Sequence, residues 1–160
     1  MTGAHKTAEA APANGGVQYR EITPEDVAAV TAFTIDGMRA DLYAGQFVPG
    51  KVEAAVRGFL TPGGFHLVAF EGARVVGVIA AVVQAQLWFE RCAAYVIACR
   101  ATVVGVGRRL IQALRAWADG QFMVRTVIFP MEFHARPSMA RLLARWGFTR
   151  QQIVCTYEKG

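Results

Sequence analysis

Two glycines and two arginines between residues 105 and 109 have the types and spacing to hold an anion. Gly105 and Gly107 are separated by one valine, and Arg108 and Arg109 follow directly. Glycine lets a backbone approach a phosphate with no Cβ in the way, and arginine adds positive charge. If a helix begins here, its first amides have no internal acceptor and carry the positive end of the helix dipole. The spacing therefore predicts a site for a phosphate-like anion.

The segments on either side of this cluster predict the elements that must position it. Cys92 to Ala98 is an apolar run of strand length, and a turn is expected from Arg100 to Gly107. After the turn, apolar residues recur at three- and four-residue spacing, which indicates an amphipathic helix: Leu110, Ile111, Leu114, Trp117 and Ala118. The sequence thus predicts a strand, a glycine turn and a helix that ends near Gly120.

The rest of the chain predicts further strands and helices around this unit. Thr23-Pro24-Glu25-Asp26 is typical of a helix start, with a capping Thr, Pro in the first turn and two carboxylates. The other predicted elements are strand Val17 to Ile22, a helix up to about Leu42, helix Lys51 to Leu60, hairpin strands Phe65 to Phe70 and Arg74 to about Trp88, strand Thr126 to Phe129, helix Pro137 to Trp146 and strand Gln151 to Glu158. The predicted order is β-α-α-β-β-β-α-β-α-β.

Composition favours one globular domain. The chain has 160 residues, of which 54% are hydrophobic and 18% charged, with a net charge of +5; this excludes a disordered chain. Residues 1–16 are expected to be a flexible leader and residues 17–160 a single domain. No apolar run approaches membrane-spanning length, and the start lacks a signal peptide. Three cysteines without metal spacing suit a reducing compartment, so we expect a cytoplasmic protein.

Several segments together resemble the GNAT superfamily of acyl-CoA-dependent N-acetyltransferases. Thr102-Val103-Val104-Gly105-Val106-Gly107 is similar to the acyl-CoA pyrophosphate loop of that family, R/Q-x-x-G-x-G/A. The segment from Ser138 to Phe148 resembles the family pattern AxxLYEKxGF, and Arg74-Val75-Val76-Gly77 resembles G-x-x-V-G. The likeness extends over Val17 to Lys159, and in overall character the chain is similar to small bacteriophage-encoded members.

The resemblance implies an α/β (α+β) GNAT fold. Its mixed central sheet would have six or seven strands, about four flanking helices, and fourth and fifth strands that splay apart. Acetyl-CoA would lie in the wedge between Tyr95–Cys99 and Thr126–Phe129, with its pantetheine arm along the backbone of Ile97 and Cys99. The family pattern implies that the pyrophosphate is held by the backbone amides of the loop: Val104, Gly105, Val106, Gly107 and Arg108.

Residues for catalysis follow the family pattern less closely. Many members carry a Glu on the fourth strand and a Tyr in the last helix; here no acid lies between Cys92 and Cys99, and Leu143 stands at the Tyr position. Arg136 replaces the usual Asn, and Thr102 stands where Arg or Gln is preferred. The remaining candidates are Glu132, His134 and Tyr95. Their alternatives are solvated loop positions for the first two and a core aromatic for the tyrosine.

Two functions of different classes remain open at this point. The first is an acetyl-CoA-dependent N-acetyltransferase that acts on a primary amine of a small molecule or a protein. The second is a catalytically degenerate GNAT-fold module with a structural or interaction role, such as a phage virion-associated protein. A homo-oligomer or virion partners also stay open. The arginines are not interleaved with exposed aromatics, which disfavours nucleic-acid binding.

Overall fold

The computed structural model describes residues 16–40, 47–86, 91–129, 141 and 143–148 of the chain. They divide into a unit that ends at Phe129 and a unit that begins at Pro130, and each is described by itself. The elements of the first unit are β1 Val17–Arg20, α1 Val27–Arg39, α2 Pro49–Gly58, β2 Gly64–Glu71, β3 Arg74–Ala85, β4 Cys92–Ala101, α3 Val106–Asp119 and β5 Val124–Ile128. The predicted order of elements is confirmed up to β5.

The strands form one mixed sheet in the order β1-β2-β3-β4-β5. Neighbours from β1 to β4 are antiparallel, and β5 lies parallel to β4. The helix α3 connects the parallel pair, as such a crossover requires. The mixed sheet is confirmed with five strands; the predicted last strand, Gln151 to Glu158, lies outside the described residues.

Helices cover both faces of this sheet. The α1 face carries α1 and α2, and its core includes Val30, Val56, Val68 and Val78, all almost fully buried. The α3 face carries α3. A Cβ on Gly77 would lie 2.6 Å from Cγ1 of Val106, so the glycine allows the helix to pack closely. Neighbouring strand residues point to opposite faces, and the sheet therefore separates what lies beside α1 from what lies beside α3.

The start of α1 is closed by a carboxylate of the chain itself. A 3₁₀ turn, Pro24–Asp26, leads into the helix, which confirms the predicted helix start. The buried Asp26 carboxylate accepts hydrogen bonds from Thr23 N at 2.9 Å and from Thr23 Oγ1 at 2.8 Å, and it forms an ion pair with Arg20. The Arg20 guanidinium and the Thr23 donors hold the pKa of Asp26 well below its usual range, against the opposing effect of burial.

Several boundaries differ from the sequence-based prediction: β1 ends at Arg20 rather than Ile22, and β5 is Val124–Ile128 rather than Thr126 to Phe129. Helix α2 begins at Pro49, two residues before Lys51, because proline suits the first helical turn. Strand β4 continues past Ala98 to Ala101, because Arg100 and Ala101 pair with Val78 and Gly77 of β3. The predicted turn from Arg100 is therefore wrong at its first residues, and Arg100 is a strand residue.

The second unit is described over a short helical end. Gly147 has a φ of +88°, which glycine adopts without strain. Its amide bonds to Ala144 O at 3.1 Å, and the amide of Phe148 bonds to Leu143 O at 3.1 Å. This pair of bonds is a Schellman motif, and it confirms the predicted end of the helix at Gly147-Phe148.

Candidate cofactor-binding site

The loop from Thr102 to Gly105 turns the chain from β4 into α3. Gly105 is the N-cap of α3 and has φ of +85° and ψ of −24°, a left-handed conformation that side chains with a Cβ rarely adopt. A Cβ built on Gly105 would meet no atom within 4 Å. The space in front of this backbone is therefore open, and the glycine is required by conformation rather than by packing.

Several amides at this turn have no acceptor among the described residues. The first helical hydrogen bond of α3 joins Arg109 N to Gly105 O at 3.2 Å, and Val106 N is used in a bond to Val103 O at 3.2 Å. In the part of the chain that the structure describes, no hydrogen bond is made by the four other amides of the turn: Val104, Gly105, Gly107 and Arg108. These donors and the helix dipole suit an anionic oxygen.

The charge around the turn is positive. No acidic residue lies in the first turn of α3. Arg108 is exposed and makes no ion pair within the described residues, whereas the guanidinium of Arg109 lies 5.3 Å from the ring centre of Tyr19. Among the described residues that line the space beside the turn, the one acid is Glu71, which is paired with Arg74 at 2.6 Å. An incoming anion would therefore meet an available arginine at the helix start.

A groove of about 470 Å³ lies beside the turn. It is lined by the loop, the first turns of α3 and the edge strand β1, including Tyr19 and Gln112. Sequence reasoning missed Tyr19, although the alternation in β1 places Val17 and Tyr19 on one face of the strand. The sequence could not predict that β1 lies close to the start of α3, because this proximity depends on the order of strands in the sheet.

Some side chains of the turn before α3 point into solvent and others into the core. Val104 is fully exposed and Val106 is buried against Gly77. Gly107 is not among the glycines with positive φ, and a Cβ on it would make an ordinary contact with Ala101 at 3.5 Å, so neither conformation nor packing demands this second glycine. The backbone of the turn, rather than its side chains, is thus what faces the open space.

The parallel pair of strands opens beside this turn. Pairing of β4 with β5 ends at Tyr95 and Ile128, while β4 continues to Ala101. Along that edge, the described residues place no strand beside β4 beyond Tyr95. The register of β4 against β3 also shifts, because Ala80 pairs with Ala98 and Ala81 with Val96. This bulge leaves Ile97, half exposed, without a partner in β3.

The predicted site residues are brought together in part. Tyr95 is half-buried at the last pair of β4 and β5, and Ile97 and Cys99 follow it toward the glycine turn. Glu132 and His134 lie outside the described residues, so their positions stay a prediction. Arg100, which the sequence placed at the start of the turn, lies on the α1 face, where its Nη1 donates to Phe33 O at 2.5 Å.

Solved structures with the same fold include acetyltransferases. A protein of Clostridium difficile 630 described as a possible acetyltransferase is 12% identical with a TM-score of 0.73, over 91% of this chain and 99% of that chain. The aminoglycoside acetyltransferase meta-AAC0020 from a soil metagenome, solved with sisomicin, is 16% identical with a TM-score of 0.67, over 90% and 96%. A transcriptional regulator from Bacillus halodurans C-125 is 18% identical with a TM-score of 0.67, over 88% and 99%.

These likenesses establish the fold. The chain shares with these structures a mixed α/β fold built on one mixed sheet. No protein-family model matches the sequence, and no curated protein sequence matches it. None of the three structures is described as a bacteriophage protein, so the likeness to phage-encoded members stays a prediction. Among the described residues, no helix is long and apolar enough to cross a membrane.

Proposed function

We propose that this protein is an acetyl-CoA-dependent N-acetyltransferase that modifies a primary amine of a small molecule. The observation that carries the proposal is the open start of α3, where Gly105 is left-handed and four amides, its own included, have no acceptor among the described residues. This turn adjoins the edge of β4 that β5 leaves unpaired. The same fold occurs in proteins described as acetyltransferases.

The backbone of the turn and of β4 would hold acetyl-CoA. Amides of Val104, Gly105, Gly107 and Arg108 would donate to the pyrophosphate, and the side chain of Arg108 would add a charge-assisted contact. Val106, whose amide already bonds to Val103, would contribute shape rather than a donor. Beyond Tyr95, the unpaired edge of β4 offers the backbone of Ile97 and Cys99 to the pantetheine arm, as an added strand would use it.

The chemistry requires a neutral amine and a path for its proton. When bound, acetyl-CoA supplies a thioester whose acyl carbon an amine can attack. Tyr95 lies at the end of the β4–β5 pairing, and we propose that its hydroxyl serves as the acid near the leaving sulfur. Glu132 and His134, which follow β5 in sequence, are our candidates for accepting the amine proton.

A small-molecule acceptor is preferred because an aminoglycoside acetyltransferase shares the fold. The acceptor panel should therefore combine aminoglycosides, simple alkylamines and a lysine peptide that represents a protein amine. Release of the CoA thiol under saturating acetyl-CoA measures turnover directly. We expect acetylation of at least one small amine under these conditions, and, when acetyl-CoA is varied, a strongly reduced kcat/KM for acetyl-CoA in Gly105→Val. Turnover of the peptide alone would contradict the small-molecule assignment.

A non-catalytic role is the second candidate. It is favoured by β4, which carries no acid from Cys92 to Cys99, and by Leu143 at the position where the family usually has Tyr. A transcriptional regulator with the same fold is compatible with such a role. Acetyl-CoA binding without turnover of any amine in the panel would favour a ligand-binding module, and no binding at all would favour a purely structural one.

A further inference from the structure

We propose that Arg100 recognises a carboxylate on the acceptor, so that the preferred substrates are amines with a negatively charged group at a distance. This inference rests on the proposed acetyltransferase function and specifies its substrate class. The observation behind it is that Arg100, a half-buried residue of β4, packs against α1. Its guanidinium has no carboxylate partner among the described residues.

The Arg100 side chain contacts two residues of α1, Phe33 and Gly37. Its Nη1 donates to the carbonyl oxygen of Phe33, and its guanidinium carbon lies 4.7 Å from the centre of the Phe33 ring. A Cβ on Gly37 would come within 3 Å of three Arg100 atoms. Glycine inside a helix is less stable than alanine by about 1 kcal/mol. The helix thus carries an unfavourable residue at a position where a side chain would displace this arginine.

Most N–H donors of Arg100 have no acceptor among the described residues. A guanidinium has five N–H donors and no acceptor, and Phe33 O uses a donor on Nη1 only. None of the ion pairs within the described residues includes Arg100. Desolvation makes an unpaired cation costly, and planar bidentate contacts with a carboxylate are what arginine makes best. An external carboxylate therefore suits the site.

The position of Arg100 separates it from the proposed phosphate site. Arg100 contacts α1, whereas Ala101 and Gly77, its paired neighbour, lie under the start of α3. The sheet thus stands between the guanidinium and the turn at Gly105. Arg100 follows Tyr95 by five residues, which is about 16 Å along a strand. An acceptor whose amine lies near Tyr95 can reach Arg100 only if several bonds separate its amine from its carboxylate.

The test compares ω-amino acids of increasing chain length with alkylamines of the same length. In the wild-type protein we expect the longer ω-amino acids to be preferred in kcat/KM by about ten- to a hundredfold over the matched alkylamines. The ratio of the two kcat/KM values should fall toward one in Arg100→Gln and partly recover in Arg100→Lys. Arg57→Gln, which removes an exposed charge on α2, is the control and should leave the ratio unchanged.

Gly37→Ala is the second variant, because it displaces the guanidinium without removing its charge. It should lower the same ratio while the free energy of unfolding is maintained or raised. If Arg100 only fastened α1 to the sheet, its substitution would lower both kcat/KM values together and leave their ratio unchanged, which would overturn the inference. Turnover without any carboxylate preference in the wild type would also overturn it and would leave the acetyltransferase function intact.

A binding measurement separates this inference from the proposed function. Titration of the wild-type protein with the N-acetylated ω-amino acid, followed by NMR of the arginine Nε–H groups, needs no turnover. We expect one saturable shift that is missing in Arg100→Gln and insensitive to the neutral N-acetylalkylamine. The absence of such a shift overturns carboxylate recognition. Failure to turn over any amine, with the shift present, overturns the enzymatic function and keeps the anion site.

Discussion

The N-termini of α1 and α3, which lie on opposite faces of the sheet, differ in how their hydrogen-bond donors and charges are satisfied. At the start of α1, Asp26 is buried, accepts two hydrogen bonds from Thr23 and pairs with Arg20. At the start of α3, Gly105 supplies no side-chain cap and the first turn contains no acid. The first site satisfies its donors and charge from within the protein, and the second leaves them available.

This difference separates a structural helix start from a ligand-binding one. A carboxylate near the N-terminus stabilises a helix through its amides and its dipole. The chain places two carboxylates, Glu25 and Asp26, at the start of α1 and two arginines, Arg108 and Arg109, at the start of α3. The carboxylates at α1 are used within the protein, and the exposed Arg108 at α3 suits an anion that comes from outside the chain.

The largest expected effect is on the closed helix start. Asp26→Ala should lower the free energy of unfolding by about 2–3 kcal/mol, because it leaves the Thr23 donors and Arg20 without their acceptor. Urea unfolding measures the loss, and Glu53→Ala, which removes an exposed ion pair on α2, should cost about 0.5 kcal/mol or less. Equal losses of unfolding free energy in Asp26→Ala and Glu53→Ala would show that Asp26 stabilises the start of α1 no more than an exposed ion pair does.

Acid should reproduce part of this loss without mutation. The pKa of Asp26 is lower in the folded chain than in the unfolded chain, chiefly through its hydrogen bond with Arg20. Its contribution is therefore complete above the ordinary aspartate pKa of about 4 and declines as the pH falls below it. Unfolding free energies measured down this range should decline less steeply in Asp26→Asn than in the wild type; identical slopes would contradict the assignment.

At the start of α3, a side chain on residue 105 should lower both the stability of the fold and the affinity for acetyl-CoA. Gly105→Val places a Cβ at a φ of +85° and should destabilise the fold by about 1–2 kcal/mol. It should also weaken acetyl-CoA binding, measured by calorimetry, because the bulk lies in front of the free amides. Gly63→Val, another glycine with positive φ and open space, should lose stability and keep its affinity. Unchanged affinity in Gly105→Val would reduce Gly105 to a turn residue.

Removing the available arginine should have a smaller effect. Arg108 is exposed, so Arg108→Ala should weaken acetyl-CoA binding by about tenfold, near the lower end for a charge-assisted contact. The loss should shrink at high salt. Arg109→Ala should cost less affinity, because the Arg109 guanidinium already lies on the Tyr19 ring. A larger loss for Arg109 than for Arg108 would exchange their roles and leave the anion site in place.

Local signals in the sequence predicted the starts of α1 and α3. The features that the sequence did not predict depend on contacts between residues distant in sequence. Thr23 to Asp26 and the glycine pair are short motifs whose backbone needs are local. The strand position of Arg100 depends on pairing with Val78, and the contact of Arg109 with Tyr19 joins residues distant in sequence. The bulge at Ile97 likewise follows from the register of two strands, and no residue type marks it.

The most direct test of the open helix start is a calorimetric comparison of acetyl-CoA with S-acetylpantetheine, which has the same thioester arm and lacks the pyrophosphate together with the adenosine 3′-phosphate attached to it. If the free amides and Arg108 hold the pyrophosphate, acetyl-CoA should bind with a Kd below about 1 mM and at least about tenfold more tightly than S-acetylpantetheine. Equal affinity for the two compounds, or no binding of either, would contradict the account.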